Sequence, residues 1–292
     1  MIYDPTNRAL YEALSLLVSD SLSLNSYIGP GPAFFQFKQL ADALAEDGLT
    51  IEGRRCIEIG CGAARPYGIA TLLHLCGAKS MVGIDDARSS DPGAVANTIA
   101  LITLCAMLQP DHAGIDKLFS SHRDIMRYAG DFDLSELFKL NIDGAVPESI
   151  KIRHCRFEGL SPDEKKFDLA IASSVFEHVD DINGLMANLR ENISNDGVIF
   201  AGLDYRDHRV YGAGGTSYWQ YLVDDGGSPD INKIRHSELL DIFSKHGFSA
   251  RVCNVDTSVP PSEERARFLP NYSHLSEDDI QTLGARIMLY PS

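Results

Sequence analysis

The sequence predicts an α/β fold, a mostly parallel sheet with helices around it. Three stretches predict it. Arg55 to Ile59 reads as a short apolar strand closed by the glycine turn Gly60-Cys-Gly62, with helix-like sequence from Pro66. Strand, glycine turn and helix is how such a sheet builds a ligand cradle at the carboxyl end of its first strand. Met81-Val-Gly-Ile-Asp-Asp86 is a second apolar run closed by acids, and Phe167-Asp-Leu-Ala-Ile-Ala-Ser173 is a third.

In chain order, residues 1–50 read as an N-terminal helical segment and 51–292 as the main domain. Thr6 to Leu17 and Phe34 to Leu44 carry apolar residues at helical spacing, joined by the turn-rich Ser26 to Pro32, and Gly48 marks a stop. Such helices either cover a ligand pocket or pack to close the sheet edge. Tyr67 to Cys76 is a short apolar helix ended by Gly77. Asp91-Pro92 reads as an N-cap with proline at the first helical position, ahead of an apolar helix over Ala94 to Leu108. A further helix is expected near Ile115 to Tyr128. Residues 87–150 are long for a connection and too apolar for disorder, so they predict a helical cap.

Ile150 to Phe157 alternates as a strand. After the Phe167 run, a helix is expected from Asp180-Asp181 through Arg190, a turn over Ser194 to Gly197, and a strand over Val198 to Leu203. Asn232 opens a helix that runs to His246 with Gly247 as its C-cap. Phe248 to Val255 is the next strand and Ala285 to Tyr290 the last. The connection between them, about 28 residues, is long for a hairpin and includes a helix capped by Ser276.

The glycine spacing narrows the ligand. Gly60 and Gly62 permit a tight turn and a close ligand approach. A dinucleotide fingerprint would place a third glycine where Arg65 stands, and no phosphate loop is present. Asp85, 23 residues after Gly62, suits an acid that accepts hydrogen bonds from ribose hydroxyls. That geometry serves several adenosine cofactors and does not choose among them.

Glu58-Ile-Gly-Cys-Gly62, followed by Phe167-Asp-Leu-Ala-Ile-Ala-Ser-Ser-Val-Phe-Glu-His-Val179, resembles the first motif and the fourth-strand segment of class I S-adenosylmethionine (SAM)-dependent methyltransferases. The resemblance implies a Rossmann-like, seven-stranded, mostly parallel sheet with an antiparallel edge, helices on both faces, and a helical insertion at about 87–150. It implies SAM as cofactor, held by Glu58, Gly60, Cys61, Gly62, Asp85 and Glu158, the last near the place of an adenine contact. Ser173 and Ser174 would face the cofactor. The activity implied is methyl transfer to a small-molecule acceptor, with a hydroxyl oxygen of a sugar-like or natural-product compound favoured. The alternatives are a non-catalytic SAM-fold binding module and a metal-dependent RNA 2′-O-methyltransferase. Glu177-His178 with His208 or His236 resembles the carboxylate and imidazole ligands of the latter, but those enzymes carry a further glutamate where this chain has Ser174, and no metal is expected here.

Composition bounds the partners. The 292 residues are 44% hydrophobic, enough for a sizeable core. A net charge of −15 argues against nucleic acid, whose phosphates are neutralised by Lys and Arg. No apolar run spans a bilayer and no signal peptide is legible, so a cytoplasmic protein is expected. Six scattered cysteines without a C-x-x-C read as reduced thiols. A homodimer is left open.

The acceptor side is expected at Asp204-Tyr-Arg-Asp-His208, beyond a strand tip where open sheets gather reacting groups. A departing hydroxyl proton benefits from a base, and imidazole titrates in the right range. His208 is the first candidate, with Asp204 or Asp207 to orient it, and His236 the second.

Overall fold

A computed structural model describes residues 31–62, 66–88, 91–108, 110, 114–118, 122–212, 216–224 and 231–292. The helix expected over Thr6 to Leu17 and the side chain of Arg65 lie outside them. Contacts divide the chain into two units, Met1–Ala170 and Ile171–Ser292.

The first unit opens with α1 (Gly31–Glu46), which buries Phe34, Phe37, Leu40 and Leu44, the helical stripe read from sequence. Strand β1 (Arg55–Ile59) leads through the glycine turn into α2 (Gly68–Leu75), whose eight residues are all buried. A Cβ on Gly68 would stand 2.9 Å from Ala33 Cβ, so α1 packs tightly on the start of α2. Next come β2 (Ser80–Asp85) and α3 (Pro92–Leu108). Asp91 caps α3 as expected, accepting from the amides of Gly93 at 2.9 Å and Ala94 at 3.0 Å.

The insertion is helical. It holds a 3-10 turn at Ile115–Lys117, then α4 (His122–Ala129), α5 (Leu134–Phe138) and α6 (Ile142–Ala145). Strand β3 (Ile150–His154) is shorter than its alternation suggests, because the chain turns at Phe157–Gly159 to bury Phe157. After α7 (Pro162–Lys165), β4 (Phe167–Ser173) carries Asp168 as its second residue. That carboxylate accepts from the Arg55 amide at 2.8 Å and from its guanidinium at 2.7 and 3.0 Å. Strands β1, β2 and β3 pair in parallel, with Glu58 opposite Gly83 and Asp85 opposite His154.

In the second unit, α8 (Ile182–Asn192) starts at an Asp181 cap, 2.8 Å from the Gly184 amide. It passes directly into β5 (Ile193–Asp204), so the expected turn over Ser194 to Gly197 is extended strand. The short helix α9 (Gln220–Val223) follows. Helix α10 (His236–Lys245) begins four residues later than its sequence suggests. Asn232 instead ties down the turn after β4, donating to the carbonyls of Phe176 at 2.7 Å and Val179 at 3.0 Å.

Strand β6 (Phe248–Thr257) is followed by α11 (Ser262–Arg265), α12 (Glu277–Gln281) and β7 (Thr282–Pro291). The long β6–β7 connection has its own apolar contacts: Phe268, Tyr272 and Leu275 pack on Trp219, Tyr221, Leu222 and Ile280. Strand β7 runs antiparallel to both β5 and β6. The sheet has seven strands in the order β3-β2-β1-β4-β5-β7-β6, mostly parallel with an antiparallel edge, as the sequence led us to expect. No disulfide joins the cysteines, and Cys56, Cys61, Cys76 and Cys105 are buried. No described helix is long and apolar enough to cross a membrane.

Candidate active site

The glycine turn is held from below by β2. Gly60 and Cys61 donate their amides to the Ile84 carbonyl at 2.9 and 3.0 Å. Both glycines have positive φ, 71° at Gly60 and 80° at Gly62, where a side chain would be strained. A Cβ built on Gly62 meets nothing within 4 Å. Gly83 is the opposite case: a Cβ there would stand 2.7 Å from Ile152 Cδ1 and 3.3 Å from Cys61. Glycine is therefore needed at residue 83 for packing and at residue 62 for conformation and open space.

Asp85 braces this turn. Its Oδ2 accepts from the Gly62 amide at 2.7 Å and its Oδ1 from the Ala87 amide at 2.9 Å. Each oxygen keeps a second lone pair for a hydroxyl donor. Glu58 lies buried on the strand that enters the turn, and its Oε2 has no hydrogen-bond partner among the described residues. Burial, and then the nearby Asp85 charge, raise its carboxyl well above the ordinary range. The same burial, with Glu58 and Asp85 close by, pushes the Cys61 thiol up. An orphaned buried oxygen beside an open glycine turn fits a ligand rich in hydroxyl and amine groups. Glu158 sits exposed in the Phe157–Gly159 turn after β3, at the sheet end shared with Asp85.

The second unit carries the remaining candidates. Ser173 ends β4, and Ser174 adopts a left-handed φ of 54° while its amide donates to the Gly202 carbonyl at 2.7 Å. A non-glycine residue in that region marks a constrained turn. Asp204 ends β5 and accepts from the amide of Arg206 at 3.1 Å, from its guanidinium at 3.0 Å, and from the Tyr211 hydroxyl. His208 Nε2 lies 3.8 Å from Asp204 Oδ2. Asp207 does not orient His208; it is fully buried and bound to Arg209, with Nη2 at 2.6 Å.

His236 has a different setting from His208. Its Nδ1 is 3.1 Å from the Tyr205 hydroxyl, and burial lowers its pKa below the ordinary 6.5. The Tyr205 hydroxyl is itself buried and held in its neutral form. His208 instead packs edge-on against His178 at 4.8 Å between ring centroids, and against Tyr211 at 5.5 Å.

Two residues carry more of this unit than sequence reasoning gave them. Glu177 is buried, accepts from the Asp204 amide at 3.1 Å, and has its carboxyl pushed up to about 8 by burial. Arg235 is 1% exposed and donates to the carbonyls of Tyr205 at 2.8 Å and Thr282 at 2.7 Å, and to that of Asp279. Glu177 had a sequence signal, an acid within the largely apolar run Val175 to Val179, whereas Arg235 lies in the polar run Asn232 to Glu238 and had none.

Comparison with known proteins adds the family. A model described as a methyltransferase domain matches residues 34–251. The fold is similar to the YcgJ protein from Bacillus subtilis, with TM-score 0.44 and 12% identity over 86% of this chain and 98% of that one. It is also similar to a SAM-dependent methyltransferase from Mesorhizobium loti, with TM-score 0.41 and 14% identity over 85% and 97% of the two chains. A DhpI–SAH complex gives TM-score 0.42 and 14% identity over 97% of each. No curated protein matches the chain by sequence.

Proposed function

The chain belongs to the methyltransferase-domain family, and from that premise we propose that it transfers a methyl group from SAM to a hydroxyl oxygen of a small-molecule acceptor. The observation that carries this reading is the Gly60–Gly62 turn braced by Asp85, with the orphaned Glu58 oxygen beside it. The net charge of −15 favours a small acceptor over a polyanion.

SAM, when bound, supplies the methyl group on a sulfonium leaving group. The chain's own residues hold the donor and manage the proton. Asp85 accepts from the ribose hydroxyls with the lone pairs that Gly62 and Ala87 leave open. Gly60 and Gly62 let the backbone approach the ligand. Glu58, kept toward its neutral form by burial, offers a proton donor at Oε2. Cys61, Ser173, Ser174 and Glu158 complete the proposed cofactor set.

We place the base at His236. With Nδ1–H donating to the Tyr205 oxygen, Nε2 keeps its lone pair for the acceptor proton. Burial holds the ring neutral at physiological pH, the form a base requires. Asp204 and His208 then serve to position the acceptor.

A screen of hydroxylated acceptors with purified enzyme tests the reading. The turnover rate is expected to rise with pH along a limb whose midpoint lies below 6.5, because the imidazole must lose its proton to act. His236→Gln is expected to remove that limb and to lower kcat roughly 10²- to 10⁴-fold, with SAM affinity unchanged. Undiminished activity in His236→Gln would reject the base assignment. SAM binding without methylation of any acceptor would point to a binding module.

A further inference from the structure

We propose that Glu177, His178 and His208 form a binding site for a divalent first-row transition metal. One ligand atom from each of the three lies within 4.8 Å of the others. A tetrahedral centre with bonds of about 2.0–2.2 Å would hold its ligand atoms roughly 3.4 Å apart. The contraction needed is small, and the imidazoles are placed to make it, since His178 is exposed and His208 half-buried. Their rings already face each other at 4.8 Å.

The independent observation is Glu177. It is 5% exposed, its Oε1 accepts from the Asp204 amide at 3.1 Å, and its Oε2 is buried without a hydrogen-bond partner among the described residues. A buried carboxyl oxygen left unpaired is costly, and beside two imidazoles a cation would relieve it. Asp204 is occupied by Arg206 and Tyr211 and stands 3.8 Å from His208 Nε2, so it is not counted among the ligands.

Two imidazoles and one carboxylate select zinc, manganese or iron over magnesium or calcium, which prefer all-oxygen sites. Three protein ligands leave coordination open for an oxygen ligand, the atom class of the acceptor proposed above; only that last step rests on the proposed function. The proposal departs from the expectation of no metal read from sequence. That expectation weighed Ser174 where a fourth ligand would stand, whereas the burial of Glu177 is a three-dimensional fact.

Titrating the metal-free full chain with zinc alone, and with cobalt(II) as a spectroscopic stand-in, tests the site. One equivalent is expected to bind, with visible cobalt bands of nitrogen and oxygen ligation. His178→Ala and His208→Ala should each weaken binding roughly tenfold or more, while His274→Ala on the surface leaves it intact. His178 is exposed, so its variant folds, and thermal unfolding of each variant checks this. No saturable binding, or wild-type affinity in both histidine variants, would overturn the proposal and identify any uptake as adventitious. The titration contains no adenosyl ligand, so its failure leaves the methyl-transfer reading standing. Loss of cofactor binding would likewise leave the metal site standing.

Discussion

Arg235→Leu is expected to lower the unfolding free energy by about 3–5 kcal/mol, measured by urea denaturation monitored at Trp219. The guanidinium is buried and is satisfied by the carbonyls of Tyr205, Asp279 and Thr282 and by the Tyr221 hydroxyl. Leucine fills much of the space but leaves those carbonyls without donors, each in a site that water does not reach. The Asp279 carboxylate accepts from Ser237 Oγ and Ser276 Oγ, both at 2.8 Å, and its pKa is lowered by these bonds and by Arg235. Arg235 thus joins the start of α10, the start of β7 and the chain just beyond β5. Because Tyr205 bonds both Arg235 and His236, the variant should also lose turnover. A loss of stability below about 1 kcal/mol, the ordinary range for surface changes, would show that these bonds do not hold the unit together.

Gly62→Val is expected to abolish cofactor binding, with an affinity loss of roughly a hundredfold or more, equivalent to about 3 kcal/mol. Its cost to the fold should be smaller. The strained φ of 80° adds about 1–2 kcal/mol, the left-handed penalty for a residue with a Cβ. The side chain itself enters open space, since a Cβ at residue 62 meets nothing within 4 Å. That open space is where the proposed ligand approaches. Gly83→Val separates the two effects, because its Cβ collides with Ile152 and the damage falls on packing. Equal cofactor affinity in Gly62→Val and wild type would remove the turn from the binding site.

What could be read from the chain beforehand was what is local in it. Gly60, Gly62 and Asp85 sit at the ends of consecutive strands, so strand periodicity and turn chemistry place them without knowledge of the fold. The Asp91-Pro92 and Asp181 caps were legible for the same reason. The start of α10 was not. Asn232 has the composition of a helix opening, but its side chain is drawn to carbonyls more than fifty residues away, and tertiary bonding overrides local preference. The strand at Ile150 likewise ends early because Phe157 is more stable buried than extended. On the acceptor side, the sequence named His208, His236 and Asp204 but not their partners. The Tyr205–His236 pair spans 31 residues and the Asp204 amide's bond to Glu177 spans 27, so neither is encoded by spacing. The ranking of the histidines depended on those partners.

The central claim is that the segment from Glu58 to Asp85 holds the adenosyl cofactor. Isothermal titration with S-adenosylhomocysteine, run on wild type and on Asp85→Ala, tests it most directly. One equivalent should bind to wild type, and Asp85→Ala should bind about a hundredfold more weakly, since it loses both the ribose bonds and the brace on Gly62. No heat with wild type, or the same affinity in the variant, would contradict the account.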